Sequence, residues 1–438
     1  MSREKTSPER PPEPSAGASS IAPPGAAPLE APAAAGPRPG AFVALRNRDY
    51  RVFWCGALVS NTGSWMQTVA QGWLVLELTD SAFMLGLVGF ASTFPMLVLL
   101  LVGGVYADRV DRRRLLIGTM SSMMACAAAL AALTGLGVVS IGHVLALSFL
   151  TGIGLAMAAP AYQAFVHDLV GRRDLQNAIA LNSAQFNLSR VVGPSLAGLA
   201  VGAIGLAGCF GLNAASYLAA IAALALVRPA HRPVRGAAPM WESLREGFAY
   251  ARERRRVLAL LVLTALMSVL AMPYSTLLPI IARDVLGLDA SGLGYLFAVG
   301  GVGAVAGALS LAVRGGPGRR GRYLLACVIA AGVGTAGLGL ARTPLFAGVT
   351  LVVISFSATS AIALMNTLLQ ELVDDRMRGR VLSMYALAFM GTFPIGNLLA
   401  GGLAGLLSAS AALLLTGVAL VAAGAVIAAT RASLRRLE

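Results

Sequence analysis

Long apolar segments with almost no charge recur along this chain, and they constrain its fold more than any other feature. Each runs for about 20 residues, which lets an α-helix cross roughly 30 Å of hydrocarbon. Of the 438 residues, 57% are hydrophobic and 12% are charged, whereas a water-soluble domain usually carries about 25% charged residues. The sequence therefore predicts an all-α polytopic membrane protein.

Twelve such segments predict twelve transmembrane helices in two bundles of six. The predicted spans are residues 51–78, 83–106, 115–137, 141–166, 177–203, 205–227, 257–282, 291–313, 324–341, 345–370, 381–405 and 409–430. The bundles are expected at residues 41–227 and 257–430. Residues 1–40 and 431–438 are expected to be cytoplasmic tails. The first tail is expected to be disordered, because its Pro-, Ala-, Gly- and Ser-rich composition cannot form a core.

The connection between the bundles, residues 228–256, contains the segment "MWESLREGFAYARERRR". Trp241, Leu244, Phe248 and Ala251 recur there at helical spacing, with charged residues on the other face. This pattern predicts an amphipathic helix on the inner membrane surface that links the two bundles.

The basic residues follow the topology of the spans. If the N-terminus is cytoplasmic, 31 of the 34 Arg and Lys residues lie in cytoplasmic segments, and the other three are Arg190, Arg283 and Arg342. The positive-inside rule then places both termini in the cytoplasm. The net charge of +14 therefore reflects membrane topology, and no nucleic-acid partner is expected.

The two halves of the chain share a sequence pattern. A shift of 203 residues lays "DLVGRRDLQNAIALNSAQFNLSRVVGPSLAG", which starts at Asp168, over "ELVDDRMRGRVLSMYALAFMGTFPIGNLLAG", which starts at Glu371. This register pairs the two acids, the Leu-Val that follows each of them, and a distant Leu-Ala-Gly. The pattern favours a duplicated six-helix unit, and internal repeats of this kind build many membrane transporters.

The turn between the second and third spans, "GGVYADRVDRRRLL", concentrates six charged residues. Its arginines alone would indicate only a topology determinant. Gly104, however, lies one turn before Asp108 and permits a neighbouring helix to approach, so that the carboxylate can face the N-terminus of another helix. We therefore predict a conformational latch that forms in one arrangement of the bundles and breaks in the other. Its members are Gly104, Asp108, Arg109, Arg112, Arg113 and, as the candidate partner of Arg112, Asp168.

The pattern Gly104-x-x-x-Asp108-Arg109-x-x-Arg112-Arg113 resembles the loop 2–3 signature of the major facilitator superfamily. Asp111 stands where that signature usually has Gly. The surrounding text, including "NSAQFNLSRVVGPSLAGL", is similar over residues 44–430 to the drug:proton antiporter branch that includes the enterobactin exporter and macrolide efflux proteins, also called transmembrane secretion effectors.

The resemblance implies the major facilitator fold, in which two six-helix bundles rock around a central cavity, with the loop signature stabilising the outward-facing state. It also implies export of small amphipathic molecules, drug- or siderophore-like, against proton uptake across a bacterial cytoplasmic membrane. In the second half Leu311 stands at the position that matches Asp108 in the 203-residue register, so we expect the latch in the first half only.

Arg190 is the one basic residue well inside a span, about 13 residues or roughly 20 Å into the fifth. An ionised group at that depth costs at least ~2.5–3.5 kcal/mol unless it is paired or faces water. Arg190 therefore either contacts substrate or anchors the helix to polar groups of its neighbours. The adjoining Gly193-Pro194-x-x-x-Gly198 resembles the antiporter signature of the fifth helix, and its residues bend the helix and permit close packing.

Polar residues at one-face spacing on the first span face either a cavity or another helix. With their counterparts elsewhere, they predict a central cavity with one polar and one apolar wall. For each Met and Phe, simple packing of the bundle is the alternative. The predicted cavity residues are Asn61, Ser64, Thr68, Gln71, Asn187, Arg190, Tyr274, Asn366, Met390 and Phe393.

No carboxylate lies near the centre of any span. Glu77, near the outer end of the first span, is the candidate for proton coupling, and a simple interfacial position is the alternative. The chain has no phosphate-binding loop for ATP, and its spans carry no clustered nucleophiles or metal ligands. We therefore expect a transporter and not an enzyme, without cofactor or metal, acting as a monomer on a small molecule and protons within the lipid bilayer. A nutrient importer or uniporter of the same fold is the alternative, and a membrane scaffold or sensor is disfavoured by the latch and the polar stripes.

Overall fold

The computed structural model describes residues 42–107, 111–227, 240–314 and 320–430. Twelve long helices account for most of these residues, among which there is no strand. The prediction of an all-α, twelve-helix membrane fold is confirmed. Their bounds are α1 Arg48–Thr79, α2 Ala82–Ala107, α3 Arg112–Gly135, α4 Ile141–Gly171, α5 173–204, α6 206–226, α7 Arg255–Val285, α8 Ala290–Arg314, α9 Arg320–Gly339, α10 Pro344–Leu372, α11 Asp375–Leu406 and α12 Ala409–Thr430.

Ten segments of the described chain are long and apolar enough to cross a membrane. One of them, Arg173–Leu226, has 54 residues and contains both α5 and α6. Helix α1 is not among the ten, because charged residues at its start and polar side chains along its middle lower its hydropathy. Helix α1 nevertheless packs against residues 141–226 in the first half of the chain.

Helices α4, α5 and α6 follow one another with almost no connecting loop. The helical path breaks at Gly171 and Gly205, whose φ angles are 67° and 69°. This left-handed region is open to glycine, which has no β-carbon, and is unfavourable for other residues. Two glycines therefore supply the turns for which longer loops would otherwise be needed.

Successive helices run in opposite directions, which gives the molecule two chemically different ends. The α2–α3, α4–α5, α8–α9 and α10–α11 connections lie at what we call the basic end, which includes Arg112, Arg113 and Arg320. The opposite end, which we call the far end, carries the α1–α2 and α7–α8 connections with Asp80 and Arg283.

Apolar packing builds a separate core in each half towards the basic end, and a shared core towards the far end. Tyr50 and Phe53 are buried within the first half, and Ala251 within the second. A third cluster joins Met66 of the first half to Tyr274 of the second. The two halves therefore pack directly on each other from the membrane centre to the far end.

A linker helix, Met240–Glu253, precedes α7 and packs on the second half. Tyr250 Oη and Arg254 Nη2 contact Asp374 Oδ2 at 3.1 and 2.9 Å. Ala251 is fully buried, whereas Phe248 is 58% exposed. Part of the face expected at the membrane surface is thus used for contacts with α11 and the turn before it.

The two halves repeat one close helix contact. A β-carbon added at Gly193 in α5 would lie 2.6 Å from the carbonyl oxygen of Thr62 in α1. A β-carbon at Gly396 in α11 would lie 2.8 Å from the carbonyl oxygen of Val269 in α7. Since Gly193 and Gly396 match in the 203-residue register, this geometry supports the duplicated unit.

Candidate functional site

Arg190 lies at the centre of the molecule, between the two halves. It is 17 residues after the first residue of α5, or about 26 Å along the helix axis. Its Nη2 donates to the Oη of Tyr274 in α7 at 3.1 Å. Tyr274 Oη in turn lies 3.1 Å from Ser355 Oγ in α10. Tyr274 and Ser355 are 4% and 1% exposed, so the guanidinium faces a buried polar pair in the opposite half.

Aromatic side chains surround Arg190 on its own half. The guanidinium carbon lies 5.7 Å from the centre of the Trp65 ring in α1, a distance at which a cation is attracted to the ring face. Phe186, one turn before Arg190 in α5, contacts Trp65 edge-on at a centroid distance of 5.8 Å. Arg190 is itself half-buried. The arrangement is a partly exposed cation with an aromatic wall, at the contact between the halves.

The predicted polar stripe of α1 divides between two environments. Ser64 Oγ lies 3.2 Å from the hydroxyl of Tyr217 in α6, and Gln71 donates to Ser148 in α4 at 3.0 Å. These two side chains therefore hydrogen-bond within the first half. Thr68 is exposed and donates to the carbonyl of Ser64 in its own helix. Asn61 is half-buried.

The other predicted cavity residues form no hydrogen bond with Arg190 in the structure. Asn187 donates to the carbonyl of Ser183 in its own helix, and Asn366 accepts from Gln370 one turn further along α10. Phe393 is half-buried, and Met390 is 40% exposed. Of the predicted set, only Tyr274 joins Arg190 directly.

Widened helical turns in α7 and α11 were not foreseen from the sequence. Residues Met267–Ala271 and Ile281–Val285 of α7, and Leu387–Gly391 of α11, are π-helical. Ser268 Oγ in α7 donates to the carbonyl oxygen of Phe389 at 2.5 Å, which satisfies a backbone group that the widened turn exposes. Segments of this kind occur frequently at functional sites.

Trp65 and Ser355 are also part of this site, and sequence reasoning missed both. Trp65 adjoins the polar stripe of α1 but points towards α5, so the one-face spacing of the polar residues excluded it. Ser355 is one of several hydroxyl residues in α10, and no spacing distinguishes it. A tryptophan at the middle of a span was the one available signal.

Acidic side chains are confined to the ends of the spanning helices, the turns and the linker helix throughout the described residues. Glu77 lies two residues before the last residue of α1 and is exposed. Arg190 therefore has no carboxylate neighbour at its depth in the described part of the chain.

Two equivalent glycine contacts join the halves towards the far end. A β-carbon at Gly86 in α2 would lie 2.6 Å from both the carbonyl oxygen of Asn397 and the Cα of Gly401 in α11. A β-carbon at Gly294 in α8 would lie 2.5 Å from the carbonyl oxygen of Pro194 and 3.2 Å from the Cα of Gly198 in α5.

The Gly193-Pro194-x-x-x-Gly198 motif thus serves two contacts in the structure. Gly193 packs on α1 within the first half, while Pro194 and Gly198 pack on α8 of the second. Ser291 Oγ at the start of α8 also donates to the Gly198 carbonyl at 2.9 Å. The α5–α8 and α2–α11 interfaces are therefore two copies of one arrangement.

An ion pair also crosses between the halves at the far end. Arg283, in the last turns of α7, bonds to Asp80 after α1, and its Nη1 donates to the Leu76 carbonyl at 3.3 Å. Asp284 binds the same guanidinium, with Nε to Oδ1 at 2.6 Å. The sequence predicted nothing for Arg283 except that it is one of the three basic residues outside the cytoplasmic segments.

The predicted latch is partly described by the structure. Arg112 Nη1 at the start of α3 donates to Asp168 Oδ1 and Oδ2 near the end of α4 at 2.9 and 2.8 Å. Arg113 donates to the carbonyls of the last turn of α6. Gly104 lies in α2, and Asp108 and Arg109 lie outside the described residues. The described contacts all stay within the first half.

The second half retains the equivalent of this ion pair. Arg320 Nη1 at the start of α9 donates to Glu371 near the end of α10 at 2.8 and 2.9 Å. Glu371 matches Asp168 at a shift of 203, whereas Arg320 matches Arg112 at a shift of 208. The prediction of a latch in the first half only concerned the position of Asp108, which lies outside the described residues, and this ion pair does not test it.

The described contacts define one conformation. At the basic end, the ion pairs Arg112–Asp168 and Arg320–Glu371 each stay within one half. At the centre and far end, hydrogen bonds and glycine contacts join the two halves. The contacts therefore close the structure at the far end.

The amino-acid sequence matches one protein family and several named membrane transporters. The sequence profile described as transmembrane secretion effector, within the major facilitator group, matches residues 39–438. The chain is 29% identical over 366 residues to the multidrug efflux pump Tap of Mycolicibacterium fortuitum, covering 80% of this chain and 87% of Tap. It is 26% identical over 366 residues to the enterobactin exporter EntS of Shigella boydii, covering 82% of this chain and 86% of EntS.

Solved structures share the fold at low sequence identity. A peptide transporter of the POT family superposes with a TM-score of 0.73 at 13% identity, covering 90% of this chain and 96% of that one. A bacterial homologue of the human lysosomal transporter Spinster, solved in an inward-facing conformation, superposes with a TM-score of 0.65 at 16% identity, covering 92% and 98%.

Proposed function

Because this chain belongs to the transmembrane secretion effector family of the major facilitator superfamily, we propose that it exports small amphipathic molecules across a bacterial cytoplasmic membrane by alternating access. Two proteins that are similar to this chain over most of its length are named a multidrug efflux pump and an enterobactin exporter. Drug-like or siderophore-like compounds are accordingly the proposed substrates.

The observation that carries this proposal is the central contact of Arg190 with Tyr274. It joins the two halves near the middle of the bundle, and the Gly86 and Gly294 contacts join them again towards the far end. A site at the junction of two rocking halves is exposed to each side of the membrane in turn. Its aromatic and cationic lining suits amphipathic molecules.

The proposed orientation places the basic end and both termini in the cytoplasm. This assignment is supported by the 31 of 34 Arg and Lys residues that gather in segments on that side. Because the described conformation is closed at the far end, we propose that it is the state in which an exporter takes up its substrate from the cytoplasm. We propose that one chain, acting as a monomer, forms the whole pathway.

Proton antiport is the proposed energy source. Glu77 is the proposed proton-coupling acid, since it is the only acid within the apolar part of a predicted span. Its exposed position near the far end of α1 would let it exchange protons with the outer solution. The rival functions, nutrient import or uniport, share the fold and differ in direction and in dependence on the proton gradient.

Uptake into inside-out vesicles tests this function. Vesicles that contain the protein receive a panel of cationic, neutral and anionic dyes, macrolides and siderophore-like compounds under an inward-acidic proton gradient, which is then collapsed. Accumulation that requires the gradient supports proton-coupled export. Equilibration that ignores the gradient supports a uniporter, and movement of no compound in the panel contradicts the export proposal. Vesicles without the protein supply the control, and Glu77→Gln tests the proposed acid.

A further inference from the structure

We propose that Arg190 selects organic anions, and that the preferred substrates join an acidic group, such as a carboxylate, to an aromatic or apolar body. This inference rests on the proposed transport function and specifies the substrate class of the same site. The electrostatics, the unused donors and the aromatic wall of the site each support it.

The first support is electrostatic. Arg190 is a cationic side chain, and its contacts in the structure are to the phenol of Tyr274 and the indole of Trp65, neither of which is an acidic partner. Acids in the described part of the chain lie at the helix ends, the turns and the linker helix. A cation at this depth is unfavourable without a counter-charge. A bound anion would supply the charge that the described protein groups do not.

The second support is the number of donors left for a ligand. A guanidinium has five N–H groups, and the structure uses one of them, from Nη2 to Tyr274 Oη at 3.1 Å. Arginine binds carboxylates with two parallel hydrogen bonds. Because Arg190 is only half-buried, the remaining donors can reach a carboxylate while Tyr274, fixed by Ser355, holds the guanidinium in place.

The third support is the aromatic wall. Trp65 lies under the guanidinium and Phe186 contacts Trp65 edge-on. A ligand whose acidic group binds Arg190 would place its remaining atoms near these rings, where an aromatic or apolar body packs favourably. A small inorganic anion would gain only the charge interaction. The site therefore suits an amphipathic anion better than a simple salt ion.

Binding of matched probes to the purified full-length protein in nanodiscs tests this inference. The probes are 2-naphthoate and its uncharged amide, 2-naphthamide, which share one aromatic body. Binding is followed by the fluorescence of Trp65 in a variant whose other tryptophans are phenylalanine. We expect the carboxylate to bind at least about tenfold more tightly than the amide, as one charge-assisted bidentate contact can provide.

The variants separate charge from structure. Arg190→Gln should bring the two affinities to within about twofold of each other, while Arg190→Lys should retain part of the preference because it keeps the charge. Ser195→Ala is the matched control in α5, because Ser195 Oγ bonds only to the Val191 carbonyl in its own helix.

Each outcome decides the matter. Equal affinities for the two probes, no binding of the carboxylate to the native protein, or a preference that survives Arg190→Gln overturns the inference. These results are independent of the vesicle experiment. Gradient-driven transport of cationic dyes without an Arg190-dependent anion preference would leave the export proposal in place and remove this one. Arg190-dependent binding of the carboxylate, together with no transport of any compound, would leave this inference in place and contradict the export proposal.

Discussion

Replacing Gly86 by alanine should shift the protein away from the conformation that is closed at the far end. The added β-carbon would lie 2.6 Å from the Asn397 carbonyl oxygen, whereas ordinary carbon–oxygen contacts are about 3.3–3.6 Å. Helices α2 and α11 must therefore separate by about 0.7–1 Å. Overpacking of this kind costs ~1–3 kcal/mol, and the cost falls only on the closed state. An energy difference of that size changes a conformational equilibrium about 5- to 150-fold.

The distance between spin labels at the far end measures this shift. Leu136, in the α3–α4 turn, and Leu345, at the start of α10, are 74% and 81% exposed and belong to opposite halves. Cysteines at these two positions, in a chain without its four native cysteines, carry the labels. Double electron–electron resonance should show a larger population at long distances in Gly86→Ala than in the parent protein.

The chain offers both a repeat and a control for this experiment. Gly294→Ala disturbs the equivalent α5–α8 contact and should give a shift in the same direction. Gly402→Ala is the matched control, because no atom lies within 4 Å of a β-carbon there although Gly402 adjoins the α2–α11 contact. If Gly86→Ala gives the same distance distribution as Gly402→Ala, the glycine contact does not set the equilibrium and the reasoning fails.

Three further predictions concern the charged ends. Arg283→Gln should raise the ratio of open to closed far ends by about fivefold or less, because a surface ion pair contributes ~0.2–1 kcal/mol. This shift should vanish at high salt, which screens the pair. A shift in the same spin-label assay that does not depend on salt contradicts this prediction. Arg112→Gln should lower the melting temperature in detergent more than Arg320→Gln does. The side chain of Asp168 is 12% exposed, against 49% for Glu371, the partner of Arg320, and breaking a buried ion pair costs up to ~3–5 kcal/mol. Equal losses of melting temperature refute this prediction. Asp108→Asn should raise the reactivity of a basic-end cysteine towards a soluble maleimide, and unchanged labelling would discard the predicted latch.

The sequence alone determined the twelve helices and the charge difference between the two ends. Hydropathy fixes a membrane helix locally, because its backbone groups bond within one segment and its length must match the bilayer. The basic turns are likewise visible without any tertiary contact. For the same reason Arg190 was recognisable as the one cation deep within a span.

Only the tertiary structure decided what these groups contact. Ser64 and Gln71 share a helical face in the sequence, yet both bond within the first half, whereas Trp65 beside them reaches Arg190. Spacing along one helix gives the direction of a side chain but not the neighbouring helix that it meets. The closure of the far end by Gly86 and Gly294 depends equally on contacts between segments far apart in the chain, since a glycine contributes only the space that it leaves for another backbone.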